Sequence, residues 1–161
     1  MQDEELEINT VQLLLSYNAS CNPPSKYEEP FPLLHAAASG HLDIVELLLD
    51  HDAEPNGIGR WYEEGKGIGD IPCIYWALGY LEIFRFLLDR GADLSLPVVQ
   101  TIIQIDQDRH GIISISHEFE DGGRAPTSTL VLREALRWDC TEIVQILLER
   151  GISLQNPAQA N

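Results

Sequence analysis

The chain is short of positive charge. Ten Lys and Arg face 26 Asp and Glu, for a formal net charge of −16. A surface of that sign repels phosphate backbones and anionic headgroups, which argues against nucleic-acid and membrane partners. Cysteine is scarce too. Cys21, Cys73 and Cys140 are odd in number, widely spaced and never arranged as CxxC. They read as reduced, buried thiols of a cytoplasmic or nuclear protein, without disulfides or thiol redox chemistry. No apolar run approaches the roughly 20 residues that cross a bilayer, and the acidic start Met1-Gln2-Asp3-Glu4-Glu5 is unlike a secretory leader. The rest is ordinary: 44% hydrophobic and 22% charged residues describe a globular chain. Its 161 residues suit one domain, large enough to fold without staples.

Self-similarity is the informative feature. Four stretches align: Thr10–Ala19, Ile44–Ala53, Ile83–Ala92 and Ile143–Ile152. In each, the first, second, fourth, fifth and sixth positions carry the apolar residues, with Thr10 the single exception. A polar residue follows, then a turn. That spacing makes a broad apolar helical face. Gly91 and Gly151 stand where a helix wants a left-handed stop, and Asn18 and Asp52 tolerate that conformation next best. A second helical pattern precedes three of the four: Pro32–His41, Pro72–Tyr80 and Val131–Cys140. Pro32 and Pro72 suit a first helical turn, where a missing N–H costs nothing.

This helix–turn–helix unit resembles the ankyrin repeat, whose signature is Thr-Pro-Leu-His-x-Ala at a period of about 33 residues. Residues 31–56 match best, through Phe31-Pro32-Leu33-Leu34, Ala36-Ala37, Gly40-His41 and Ala53 to Asn56. The next unit matches through Gly79, Leu81-Glu82-Ile83, Leu87-Leu88 and Gly91-Ala92-Asp93. The motif histidine is missing throughout. Leu34 and Arg133 replace it, and the third unit is one residue short there, so stacking is expected to be less regular. The resemblance implies an all-α solenoid of stacked helix pairs that recognises another protein.

The register exposes the departures. Leu15, Leu49, Leu88 and Leu148 are equivalent, at steps of 34, 39 and 60 residues. Against a period of about 33, the excesses are about one, six and 27. The single domain then divides into a half repeat at 6–22 without its leading helix, repeats at 31–56, 72–96 and 129–155, and insertions at 57–71 and 97–128. The half repeat leaves an apolar helix face uncapped, which opens a self-associating homodimer as a third reading.

The first insertion, Gly57–Asp70, is rich in glycine and reads as a long surface loop with Arg60, Trp61 and Tyr62 at its centre. Those residue types are the commonest binding anchors; the alternative is that Trp61 folds back on the stack. A phosphate loop is excluded by its spacing, by Gly67 in place of Ser or Thr, and by the lack of a preceding strand. The second insertion alternates over Thr101–Asp106 and Gly111–Phe119, which predicts a β-hairpin on the helical stack, with a helix from Pro97 to Ile102 as the competing reading. Asp106, Asp108, His110, His117 and Glu118 are metal-ligand types without a recognised ligand spacing, so no metal is expected. His35, His41 and His51 read as structural or exposed, with His41 capping or packing.

In ankyrin repeats the residues just before the Gly-His pair line the concave face, which here implies Ala38-Ser39, Ala77-Leu78 and Arg137-Trp138. The expected binding residues are therefore Arg60, Trp61, Tyr62, Leu78, Arg137, Trp138, His110 and His117, although Trp138 packed under the hairpin is an equal alternative. The leading function is a protein-interaction module whose acidic surface favours a partner with a basic segment. The second reading is a small-molecule-binding protein or cofactor-independent enzyme with a pocket roofed by both insertions, with His110, His117, Glu118, Asp121, Arg60, Tyr62 and Trp138 as its candidates. No elbow, zinc or thiol motif supports catalysis, so the chain leans away from an enzyme, and no cofactor is implied.

Overall fold

The computed structural model describes residues 2–22, 31–63, 66–98 and 125–152. The chain forms two compact units, Met1–Gly59 with Pro72–Ala92, and Arg60–Ile71 with Asp93–Asn161.

The first unit holds α1 (Gln2–Ser16), α2 (Pro32–Ser39), α3 (Leu42–Asp50), α4 (Cys73–Trp76), a 3₁₀ turn (Ala77–Gly79) and α5 (Leu81–Asp89). Helix α2 packs on α3 and on α4, and α3 packs on α1 and α5. Pro32 opens α2 as its first residue. Phe31, His41 and Tyr80 precede α2, α3 and α5 without any side-chain cap bond, so burial rather than capping holds these short helices. Val45, Phe84, Leu87 and Ala37 are fully buried, and Ile74 and Leu48 nearly so. A large side chain buried in this way contributes about 1.5–3 kcal/mol.

The helix stops repeat. Asn18, Asp52 and Gly91 all take a left-handed backbone, at φ 59°, 63° and 96°. Past each one, the chain folds back onto its helix. Ala19 N–H donates to Leu14 O, Ala53 N–H to Leu48 O and Ala92 N–H to Leu87 O, at 3.1, 3.0 and 2.9 Å. These bonds satisfy carbonyls that a helix end leaves open. Gly40, at φ 81°, closes α2 in the same way, with His41 N–H donating to Ala36 O.

Asparagines join successive loop tips. Asn22 Nδ2–H donates to Asp52 O, and Glu54 N–H donates to Asn22 Oδ1, both at 2.8 Å. At the equivalent position one repeat on, Asn56 Nδ2–H donates to Gly91 O at 3.2 Å. Each asparagine thus reaches the left-handed residue of the next repeat. The Arg90–Asp50 ion pair, at 2.9 Å, is surface-exposed and adds little.

The first insertion is a two-stranded sheet rather than a loop. Strand β1 (Ile58–Glu63) pairs with β2 (Lys66–Pro72). Two residues separate the strands, a connection that only an antiparallel hairpin accommodates. Cys73 N–H donates to Gly57 O at 2.9 Å where the chain re-enters the helical pattern. Strand β1 runs through the Gly59–Lys66 stretch rather than ending before it, so this stretch is not the strand–loop–helix arrangement of a phosphate loop.

The second unit contains β3 (Pro97–Val98), β4 (Ala125–Pro126), α6 (Thr127–Arg137) and α7 (Thr141–Glu149). Strands β3 and β4 are antiparallel, with Pro97 opposite Pro126 and Val98 opposite Ala125. The competing helix therefore does not begin at Pro97. Thr127, fully buried, donates both its N–H and its Oγ–H to Leu96 O at 2.8 Å, and Ser128 N–H donates to Leu94 O at 2.8 Å. These bonds draw the two ends of the insertion together into a neck. The alternating segments between them, expected as a hairpin over 97–119, lie outside the described residues beyond Val98. Val131, Ala135, Leu147 and Ile143 form the α6–α7 core. Asp139 (φ 56°) and Gly151 (φ 78°) stop the two helices, with Cys140 N–H donating to Ala135 O and Ile152 N–H to Leu147 O. Among the described residues no helix is long and apolar enough to cross a membrane.

Candidate functional site

The same sequence position meets different surroundings along the chain, and this locates the open surfaces. Leu14, Leu48, Leu87 and Leu147 are equivalent. The last three lie at 0–2% exposure, whereas Leu14 is 54% exposed. Each of the three sits on a second helix with a leading helix packed against it: α2 on α3, α4 on α5, α6 on α7. Among the described residues nothing precedes α1 in that role. Leu13 on the same helix and Tyr17 just past its end are likewise exposed. The predicted uncapped apolar face is therefore present on α1.

Beside it lies a groove of about 470 Å³, wholly within the first unit. Glu7, Thr10 and Val11 of α1 line it together with Ala36 and Ser39 of α2 and Leu48 of α3. At its edge His41 Nε2 stands 3.4 Å from Glu7 Oε2. His41 precedes α3 but makes no side-chain cap bond; its ring faces the Glu7 carboxylate instead. His51 Nδ1 lies 2.9 Å from Leu47 O in its own helix, and His35 is exposed.

In the second unit, α6 ends in an exposed pair. The Arg137 side chain is about half exposed, and Trp138 is 64% exposed. Arg137 Nη1 lies 3.7 Å from Glu134 Oε2, and Arg133 Nε lies 3.3 Å from Glu134 Oε1. Glu134 is buried, so the two guanidiniums compensate a carboxylate that would be costly alone. Arg137 is held from one side and open on the other.

Helix pairs recur through the described residues, most of their ends closed by left-handed stops, and in the first unit asparagines link the loop tips. A family model described as ankyrin repeats in three copies matches residues 3–97, more than half of the chain. The chain belongs to the ankyrin-repeat family. It is also 44% identical over 45 residues to the ankyrin repeat and KH domain-containing protein mask of Drosophila melanogaster. That match covers 28% of this chain, and the chain spans about 1% of that relative's length.

Within this ankyrin fold the predicted site residues fall into separate places. Arg60, Trp61 and Tyr62 stand on strand β1. Arg137 and Trp138 are exposed at the end of α6. Leu78 is not part of any open face. It is 5% exposed in the 3₁₀ turn, next to the fully buried Ala77. His110 and His117 lie outside the described residues, as do the metal-ligand types between 106 and 118. Among the described residues no group of three His, Cys, Asp or Glu is placed to hold a metal. The groove between α1 and α2 was missed as a site, although its signal, the absent leading helix of the half repeat, was in the register.

All three thiols are shifted toward the neutral form. Burial pushes Cys73 up to about 12. Cys21 is raised by burial and then by Asp52, and Cys140, only half-buried, by burial and then by Asp139 and Glu142. Thiolate reactivity requires the opposite shift.

Proposed function

We propose that the chain is a protein-interaction module whose partner carries a basic segment, with Arg137 and Trp138 among its anchors. Ankyrin repeats generally mediate protein–protein interaction, and the family assignment supports that class of activity. The observation that carries the finer reading is the 64% exposure of Trp138 beside the half-exposed Arg137. Trp and Arg are the residue types that dominate binding energy at interfaces, and a tryptophan left in water without a use is an aggregation liability. The formal net charge of −16 supports a basic partner, since opposite potentials steer encounter and suppress wrong partners. Arg60, Trp61 and Tyr62 on β1 extend the proposal to the first insertion. Leu78 is left out because it is buried.

The test is affinity capture by the intact protein, with wild type, Trp138→Ala and Trp61→Ala compared quantitatively at matched folded fraction. Proteins bound by wild type and lost from either variant support the proposal, and their bound segments should be rich in Lys and Arg. Capture that is identical for all three proteins refutes the assignment of these anchors.

A further inference from the structure

Among the described residues a groove lies open beside α1, at the position where the other second helices carry a leading helix. Every other second helix among the described residues has a leading helix packed on it, and α1 has none. The consequence is visible at one position, where Leu14 is 54% exposed and Leu48 is 2% exposed. Glu7, Thr10 or Val11, and Leu14 follow one helical stripe at spacings of three and four residues. Across from that stripe stand Ala36 and Ser39 of α2, whose small side chains permit close approach of another backbone. A leading helix of this fold buries Leu33, Leu34, Ala36 and Ala37, and the cavity of about 470 Å³ is bounded by the same classes of surface.

The charge around the seat selects the visitor. Residues 1–57 carry eleven Asp and Glu against a single lysine, Lys26, and no arginine. Asp3, Glu4, Glu5 and Glu7 all fall on α1, and Glu7 stands at the groove edge. We propose that the groove between α1 and α2 binds a short amphipathic α-helix of a partner protein, apolar and small on one face and lysine- or arginine-rich on the flanks. The bound helix takes the position that a leading helix holds in the other units, covering Thr10 and Val11 and setting its cations against Glu7. The site lies wholly in the first unit and is independent of the Trp138 anchor, although it shares the reading of the chain as an interaction module.

The probe is a synthetic amphipathic peptide of about 18 residues, long enough to populate helix. It repeats the Leu-Leu-x-Ala-Ala pattern of residues 33–37 and carries lysine at the remaining positions. Fluorescence anisotropy with the intact protein should show saturable one-to-one binding that weakens with salt. Ser39→Arg, an exposed position that fills the groove with bulk and positive charge, should weaken binding about tenfold or more without lowering Tm. Glu7→Lys should weaken the lysine peptide and strengthen a glutamate-substituted counterpart, a charge exchange that mere unfolding cannot produce. Trp138→Ala should leave peptide binding unchanged. The proposal is overturned by any of several results. These are no saturable binding, equal binding of the glutamate or a proline-interrupted peptide to wild type, indifference to Ser39→Arg, or loss of peptide binding in Trp138→Ala. Sedimentation as a dimer that Ser39→Arg dissociates would also overturn it, because a second copy would then fill the groove.

Discussion

The ring of Tyr80 lies directly over Gly40, so that a methyl group on Gly40 would collide with the ring carbons. The two residues belong to consecutive repeats, and Tyr80 occupies in its own repeat the position that His41 holds after Gly40. Gly40 therefore serves twice, as the left-handed stop of α2 and as the floor beneath the next repeat's tyrosine. Gly91, at φ 96°, has only the first duty, since nothing stands within 4 Å of its added methyl. Gly79 has neither.

This ranking predicts three alanine substitutions. Gly79→Ala should be near neutral. Gly91→Ala should lose about 1–2 kcal/mol, the cost of a left-handed non-glycine residue. Gly40→Ala should lose more, because the ring must also move. Urea denaturation checks the order, and Tyr80→Ala combined with Gly40→Ala should recover part of the extra loss in a double-mutant cycle. Equal losses at Gly40 and Gly91 would show that the tyrosine contact carries no energy.

The equivalent leucines give a second prediction. Leu48→Ala and Leu147→Ala should each cost about 2–5 kcal/mol as buried truncations. Leu14→Ala, at the same position of the half repeat, should cost about 0.5 kcal/mol or less because its side chain is already in water. The next position separates Leu49 from Leu148 in the same way, at 6% and 56% exposure. A large loss from Leu14→Ala would mean that something already covers α1.

Helix existence and helix ends were legible in the sequence, because they depend on neighbours within a few residues. Asn18, Asp52, Gly91 and Gly151 mark their stops through backbone preference alone, and all four adopt positive φ. The β1–β2 hairpin was not legible. Arg60 to Glu64 shows no apolar–polar alternation, and Gly65, Gly67 and Gly69 put glycine where a strand pattern would show side chains. The burial of Leu78 was also misread, for a geometrical reason. The leading helix of the third unit runs only from Cys73 to Trp76 and then tightens into a 3₁₀ turn. A change from 3.6 to 3.0 residues per turn rotates each later side chain by about 20°, so positions open in α2 and α6 turn inward at Ala77 and Leu78. The same missing residue that spoiled the motif there spoiled the register.

The asparagine links yield a third prediction. Asn22→Ala removes a donor to Asp52 O and an acceptor from Glu54 N–H, which should cost about 1–2 kcal/mol. Asn22→Asp keeps the acceptor but loses the donor and adds a negative charge facing a carbonyl, so it should not restore stability. Thermal melting at neutral pH distinguishes the variants, and full recovery in Asn22→Asp would show that only the Glu54 bond matters.

Cys73 supplies a prediction in alkali. Its thiol is held neutral up to about 12 in the folded protein, while in the unfolded chain it ionises near its ordinary value of about 8.5. Above that value the unfolded state sheds a proton that the folded state keeps, so ionisation favours unfolding. The stability contributed by this group is complete below about pH 8.5. It declines by at most about 1.4 kcal/mol per pH unit as the pH rises toward 12. Cys73→Ala should flatten that slope between pH 9 and 10.5 in denaturant titrations. An unchanged slope would show that the thiol is reached by solvent.

The central claim is that exposed side chains, not core ones, carry the interaction. The most direct measurement pairs melting temperature with partner affinity for Trp138→Ala, using a partner isolated on the wild-type protein. The account predicts a Tm close to that of wild type and a loss of about 2 kcal/mol in binding, near thirtyfold in Kd. A Tm several degrees lower with unchanged affinity would contradict it, because Trp138 would then be a packing residue and not a contact.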